Sequence, residues 1–442
     1  MAALGDNLKK ESFDPLLMSY LKNYLYYGSG HECPESFQLW SALSLIGAVV
    51  GRKVWVKHGD YFTIYPNIYV CLVGTAGSGK STARSTAKTI FVKAFPTHMV
   101  SASIQSREDI AQQMASEDCA KYWKDLKGEY GDIEKIYEYR PFYIVANELA
   151  SFLSVDKGKM VEFLVDIYDE NYFSTGFKGQ RKANPEAKQW FENPYVSMIA
   201  CAVPKWFMSN LKLDLFDGGL GRRLFIVYDE KSKLVDDPKM PEGGDKALQA
   251  VIDHLLKLGS ESFYGEIKRN AAAMAWWKKW YHDPKRFNRE DPILMQFHET
   301  KAVQLLKVAS LLCLSEDPPN MTMDEGHLEA AKVMIDRLEP NVLKLTSGIG
   351  RNEIAGVGAE VLDYIGRMGG MVPEVALKKF FHRYLNTPEF KDLLQHYIET
   401  EQLYICEVEI DGIKRRAFFL KENYTQYVKT KMQAESKPSL LS

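Results

Sequence analysis

An α/β fold, a mainly parallel sheet with helices on both faces, is what the sequence predicts for the middle of the chain, residues 67–240. Three observations predict it. Apolar runs of strand length alternate there with stretches of helical spacing, the pattern of successive β-α-β units. One such run, Asn67–Val73, leads straight into Gly74-Thr75-Ala76-Gly77-Ser78-Gly79-Lys80-Ser81-Thr82, a glycine-rich turn that opens a helix. The flanks read differently: helices and one hairpin before residue 67, helices alone over 241–345, and helices closed by a hairpin over 359–425.

Taken in order, residues 13–27 and 35–50 carry apolar side chains at helical spacing, and the second run stops before Gly51. Lys53–His58 alternates, turns at Gly59-Asp60 and returns as Tyr61–Tyr65, a β-hairpin. Residues 1–66 therefore form a helical and hairpin collar. In the core, a helix is predicted from Lys80 to Phe95, a strand at His98–Ile104, a helix at Arg107–Met114, and strands at Phe142–Ala146, Val196–Ala202 and Leu224–Tyr228. Residues 241–345 read as a helical lid with no good strand, and the glycine-bearing stretch 346–358 as a linker. In the last domain, about three helices precede Gln402–Val408, a turn at Asp411-Gly412 and Lys414–Leu420, the order of a winged helix.

The bulk numbers set bounds. A chain of 442 residues is expected to divide into two or three domains. With 46% hydrophobic and 26% charged residues, it reads as a soluble globular protein. A net charge of -2 argues against indiscriminate coating of nucleic acid, while a local basic stripe remains compatible with contact. Six scattered cysteines, Cys33, Cys71, Cys119, Cys201, Cys313 and Cys406, suit a reducing cytosol and provide no zinc framework. His31 and Cys33 lie close together but lack a second pair, and read as a loop. No secretory signal is expected, and the longest apolar stretch, Leu43–Val50, is too short to span a bilayer. The expectation is a cytoplasmic protein without membrane contact.

The spacing Gly74-x-x-x-x-Gly79-Lys80-Ser81 is the Walker A pattern. Glycines let the backbone curl until its N–H groups converge on a phosphate, and the helix opening at Lys80 adds the positive end of its dipole. Lys80 is expected to bridge the β- and γ-phosphates of ATP and Ser81 to ligate Mg²⁺. Hydrolysis needs a carboxylate on a strand next to the loop strand. Arg140–Glu148 is the best candidate, with Glu148 as base and Asn147 at the position of the magnesium-bound water. An amide there accepts a hydrogen bond but supplies no charge. The alternative is that Glu148 caps the helix beginning at Leu149. A polar γ-phosphate sensor is expected near Ala202-Val203-Pro204, but Val203 has no polar group and Ser197 comes too early.

Two basic segments follow. Arg222 and Arg223 stand between a glycine-rich turn and the last core strand. An arginine presented to a neighbour's γ-phosphate acts as a finger, and one such contact per subunit closes a ring; the alternative is a structural ion pair. Ser174–Pro185 is glycine-bearing and basic: Lys178, Arg181 and Lys182 are placed to touch strand phosphates, and Phe177 to stack or pack, the alternative being a solvated turn. Further along, Lys378 and Lys379 on a candidate recognition helix and Lys414, Arg415 and Arg416 on the wing suit either DNA or a protein partner.

The stretch Glu35–Arg52, the motif from Tyr65 to Thr82, Asn147–Leu153 and Gly218–Phe225 together resemble a phage- and plasmid-borne family of replication-associated ATPases, over residues 30–340. That family is similar in turn to the minichromosome-maintenance helicases of the AAA+ class. The resemblance implies an AAA+-like P-loop NTPase core with collar, lid and winged helix. It implies a finger at Arg222 or Arg223, a DNA-reaching hairpin at Lys178, Arg181 and Lys182, and a lid lysine, Lys301 or Lys307, at the γ-phosphate. It further implies ATP and Mg²⁺, single-stranded DNA in a central channel, a homo-oligomeric ring (hexamer favoured), a primase or initiator partner and a bacterial host cytoplasm. The sequence departs from the pattern at Asn147 and Val203. Two functions fit: an ATP-dependent DNA helicase or translocase for replication of a mobile element, or a slowly hydrolysing initiator or helicase-loader switch.

Overall fold

A computed structural model describes residues 19–102, 105–124, 136–156, 159–169, 172–174, 190–204, 206, 219–230, 233–284, 292–341, 361–381, 387–410 and 412–435. The chain divides into two compact units, Met1–Thr346 and Ser347–Ser442.

The first unit opens with α1 (Ser19–Tyr27) and α2 (Glu35–Val49). Nearly every residue of α2 from Phe37 onward is buried, because its apolar side chains go all the way round rather than forming one stripe. It packs against α1, against the sheet and against the helix that follows the glycine-rich loop. β1 (Val54–His58) and β2 (Phe62–Ile64) make the predicted antiparallel hairpin, with Lys57 opposite Thr63. Lys53, just before β1, is buried and donates to the Leu258 and Ser260 carbonyls at 2.8 and 2.5 Å. Burial pulls its amine down to about 7.

The core follows as β3 (Tyr69–Val73), α3 (Lys80–Ala94), α4 (Arg107–Ala115), β4 (Lys121–Lys124), β5 (Ile136–Ala146), α5 (Leu149–Ser154), α6 (Lys159–Asp169), β6 (Tyr172–Ser174), β7 (Trp190–Glu192), β8 (Pro194–Ala202) and β9 (Leu224–Tyr228). The main sheet has the order β4-β5-β8-β3-β9, parallel throughout except for β4. β3 and β8 are buried along their whole length, as unbroken apolar runs in a parallel sheet should be. The predicted strand His98–Ile104 is reduced to one parallel bridge between Val100 and Tyr143; Ser103 and Ile104 lie outside the described residues. β5 starts six residues before the predicted Phe142, and its first part pairs antiparallel with β4. α4 starts at a reciprocal cap between Ser106 and Asp109.

The helical region contains α7 (Gly244–Gly259), α8 (Ala271–Tyr281), α9 (Pro292–Leu314) and α10 (Glu325–Asp336). It also contains three two-residue strands: β10 (Gly265–Glu266) beside β1, and β11 (Lys268–Arg269) paired with β12 (Thr322–Met323). Such short pairings carry no periodicity, which is why the sequence reading found no strand there.

The second unit has a helical stretch over 361–367, then β13 (Met371–Pro373), α11 (Glu374–Phe381), α12 (Thr387–Glu399), β14 (Leu403–Ile410), β15 (Ile413–Leu420) and α13 (Lys421–Glu435). Its antiparallel sheet has the order β13-β15-β14, and its core gathers Val361, Ile365, Leu377, Phe381 and Phe418. The predicted linker lies outside the described residues. No helix among the described residues is long and apolar enough to cross a membrane.

Candidate functional site

The glycine-rich loop leaves the carboxyl end of β3, in the middle of the sheet, where the Gly74 N–H donates to the Ala202 carbonyl of β8 and the Asp229 N–H to the Val73 carbonyl. Carboxyl ends of parallel strands are where ligands sit in open α/β sheets. Gly77 and Gly79 hold φ of 80° and 89°, left-handed values that glycine adopts without cost. At Gly79 a side chain is also excluded by space: its Cβ would lie 2.9 Å from the Cys33 Cα.

Lys80 is the first residue of α3 and is buried. Its Nζ donates to the Gly74 carbonyl at 2.6 Å, the Thr75 carbonyl at 2.7 Å and the Ser78 Oγ at 3.3 Å. The ammonium thus fills the curl of its own loop. Burial lowers the Lys80 pKa, and Cys201 and Glu148 push it back up. Ser81 and Thr82 are exposed at the start of α3, and Thr75, Ala76 and Gly77 are exposed along the loop.

Gly77 through Thr82 line a cavity of about 290 Å³ whose other walls are His31, Glu32, Cys33 and Pro238. These four residues were not legible as site residues. The Cys33 thiol donates to the Gly79 carbonyl at 3.4 Å, and the Val235 N–H donates to the Glu32 carboxylate at 2.9 Å, so both walls are tied to the core. Burial pushes the Cys33 thiol up to about 12, which leaves it unreactive.

Glu148 lies at the end of β5, but β8 separates β5 from β3, so the carboxylate is one strand further from the loop strand than expected. It still senses the loop: burial raises its pKa, while the Lys80 ammonium and the Val203 N–H draw it down. It occupies the N-cap position of α5, yet its side chain makes no capping bond. Its Oε1 is buried with no hydrogen-bond partner among the described residues. A buried carboxylate oxygen without a partner, within electrostatic reach of the Lys80 ammonium, is poorly explained by capping and well suited to a water or other hydrogen-bond donor. Asn147 is exposed beside it.

The arginines separate. Arg223 donates to the Asp169 carboxylate and to the Gly219 carbonyl, the structural ion pair kept open as the alternative. The Arg222 side chain makes no ion pair among the described residues, while its carbonyl accepts bonds from Thr300 and Gln304 of α9. The lid lysines are engaged: Lys301 pairs with Asp336 and Glu339, and buried Lys307 donates to Asn67 Oδ1 at 2.6 Å. Ser197 is buried in mid-strand, its Oγ accepting the Ile68 N–H, which confirms that it lies too early to sense a phosphate. Lys178, Arg181, Lys182 and Phe177 lie outside the described residues; the flanking strands β6 and β7 pair antiparallel, with Tyr172 and Trp190 stacked at 5.9 Å.

The loop, Lys80, Ser81 and Glu148 fit a nucleotide triphosphate with Mg²⁺: a glycine curl closed to a side chain at Gly79, a cation within it, an exposed hydroxyl beside it and an unpartnered carboxylate oxygen within electrostatic reach of the cation. Magnesium needs only one or two protein ligands when phosphates supply the rest, so the lack of a larger ligand cluster among the described residues does not oppose it. No protein-family model matches the chain, and no curated protein matches it.

Proposed function

We propose that the chain is an ATP-dependent, ring-forming DNA helicase or translocase acting in the replication of a mobile element. Its first unit would be an AAA+-like P-loop NTPase with collar and lid, and its second unit a winged helix. The observation that carries the reading is Lys80 curled into a glycine loop, with the Glu148 carboxylate close enough for the Lys80 ammonium to draw its pKa down. When bound, ATP with Mg²⁺ supplies the phosphoryl group whose transfer to water releases the energy. Lys80 would hold phosphate oxygens in place of the Gly74 and Thr75 carbonyls, Ser81 would hold Mg²⁺ through its hydroxyl, and Glu148 would orient the water and take its proton. Arg222 reaches the neighbouring subunit, and Lys178, Arg181 and Lys182 contact DNA in the channel of a ring, hexamer favoured.

The test is ATP turnover by the purified protein with and without single-stranded DNA, together with its mass in solution. DNA stimulation by a ring-sized particle is expected. Slow turnover by a monomer, indifferent to DNA, would replace the motor by the second reading, an initiator or loader switch. That reading is favoured by the uncharged Asn147 and by Val203, which puts no polar side chain at the end of β8.

A further inference from the structure

The two hairpins of the first unit face each other across a second, aromatic cleft. Strand alternation puts Trp55 and Lys57 of β1 on one face, with Thr63 opposite Lys57 and Tyr65 just beyond β2. In the other hairpin, Trp123 of β4 pairs in register with Tyr137 of β5, and their rings stack at 4.3 Å and 12°. Trp55 and Trp123 approach to 5.8 Å. The two rings are packed on each other, and beside them lies a cavity of about 270 Å³, lined also by Arg52, whose guanidinium sits 4.6 Å over the Tyr65 ring. The acid at this cleft, Glu138, is already paired with Arg140, so Arg52 and Lys57 leave it positive. A second cavity, of about 340 Å³, shares Thr63 and Tyr65 and runs under Tyr61 and Phe62, which are 92% and 64% exposed.

π-faces bordered by cations suit a flat, electron-rich ring attached to a phosphate. The first cavity is smaller than the roughly 300–1,000 Å³ of cofactor-sized sites, room for one ring system and not for a whole nucleotide triphosphate. Tyr61, exposed beyond it on the same hairpin, continues the stacking surface. We infer that the β1–β2 hairpin is a platform for single-stranded nucleic acid, with one unpaired base in the cavity beside the packed Trp55–Trp123 pair, the next phosphate at Lys57, and the following base on Tyr61. Its cavity shares no residue with the one at the glycine-rich loop. The inference rests on the DNA reading for the class of polymer and is independent of hydrolysis.

The test uses the full chain without ATP or Mg²⁺. Anisotropy of a labelled oligodeoxythymidylate and, in parallel, an oligouridylate measures affinity, and tryptophan fluorescence reports the cleft. Lys57→Glu reverses the rim charge and Thr63→Trp fills the mouth; both positions are exposed, and melting midpoints are followed for both. Binding by the wild type with tryptophan quenching is expected, with about a tenfold loss of affinity in each variant that retains its melting midpoint. Should Thr63→Trp unfold, Lys57→Glu decides. Wild-type affinity and quenching in the folded variants would overturn the platform while leaving DNA contact elsewhere intact. No binding of either oligonucleotide by the wild type would remove both the platform and the DNA part of the proposed function, with ATP turnover judged separately. A preference between the two oligonucleotides identifies the polymer.

Discussion

Lys80 satisfies itself: three oxygens of its own loop take its ammonium, so the curl of the loop is held by the group proposed to bind the phosphate. Lys80→Ala is expected to abolish ATP turnover. Glu148→Gln should keep nucleotide binding, measured by equilibrium titration, while turnover falls by about 10²–10⁴-fold; near-normal turnover would move the base elsewhere. The pH profile carries the sign of the Glu148 environment. Burial raises its carboxyl above the ordinary value, so the ionised base is present above that raised pKa and is lost as pH falls through it. The acid limb of kcat should therefore lie above the roughly 4.3 of a free glutamate; a limb at or below that value would mean that the Lys80 attraction outweighs burial. For the arginines, Arg222→Ala mixed with Lys80→Ala should form some interfaces that retain both groups and regain activity. Arg223→Ala should chiefly loosen its pair with Asp169, costing about 0–1 kcal/mol of stability. Failure of the first mixture to recover activity would count against a shared site.

At the level of elements, local signals were readable and long-range ones were not. The loop shows in sequence because its requirement is local: left-handed glycines at fixed spacing, between a strand and a helix. β3, β8 and β9 show because continuous apolar runs have few other uses. β4 was missed because Lys121-Tyr122-Trp123-Lys124 has no clean alternation and its partners in β5 lie well along the chain, Lys121 opposite Tyr139. The walls at His31–Cys33 and Pro238 were missed for the same reason: only folding brings residues about 46 positions apart, Cys33 and Gly79, into contact. The lysines of α9 looked available by spacing, yet Lys301 and Lys307 are consumed by partners from α10 and from the turn before β3. This contact at the loop has a measurable cost. Gly77→Ala meets open space and is expected to lose about 1 kcal/mol from its backbone conformation alone, whereas Gly79→Ala also drives a Cβ into the Cys33 backbone and should lose about twice that or more, read from denaturant midpoints. Equal losses would show that the 31–34 segment yields freely.

Across the whole molecule, charge is spent unevenly. In the second unit the β14–β15 hairpin is less basic than its sequence suggests: Glu409 and Glu407 stand opposite Lys414 and Arg416, and Glu374 takes both Lys378 and Arg416. Cross-strand pairs of opposite sign stabilise the hairpin and weaken its pull on phosphate. The basic run in the sequence suits either DNA or a protein partner, and these acidic neighbours offset part of its charge. In the first unit, β3 is bonded to neighbours on both edges and none of its five residues reaches the surface. Its amide protons can meet deuterated solvent only when the sheet itself comes apart, so they should exchange at the rate of global opening. The nucleotide loop hangs from that strand. Ligand bound there should slow exchange throughout β3, β8 and β9 by the full binding energy, instead of sheltering only the loop.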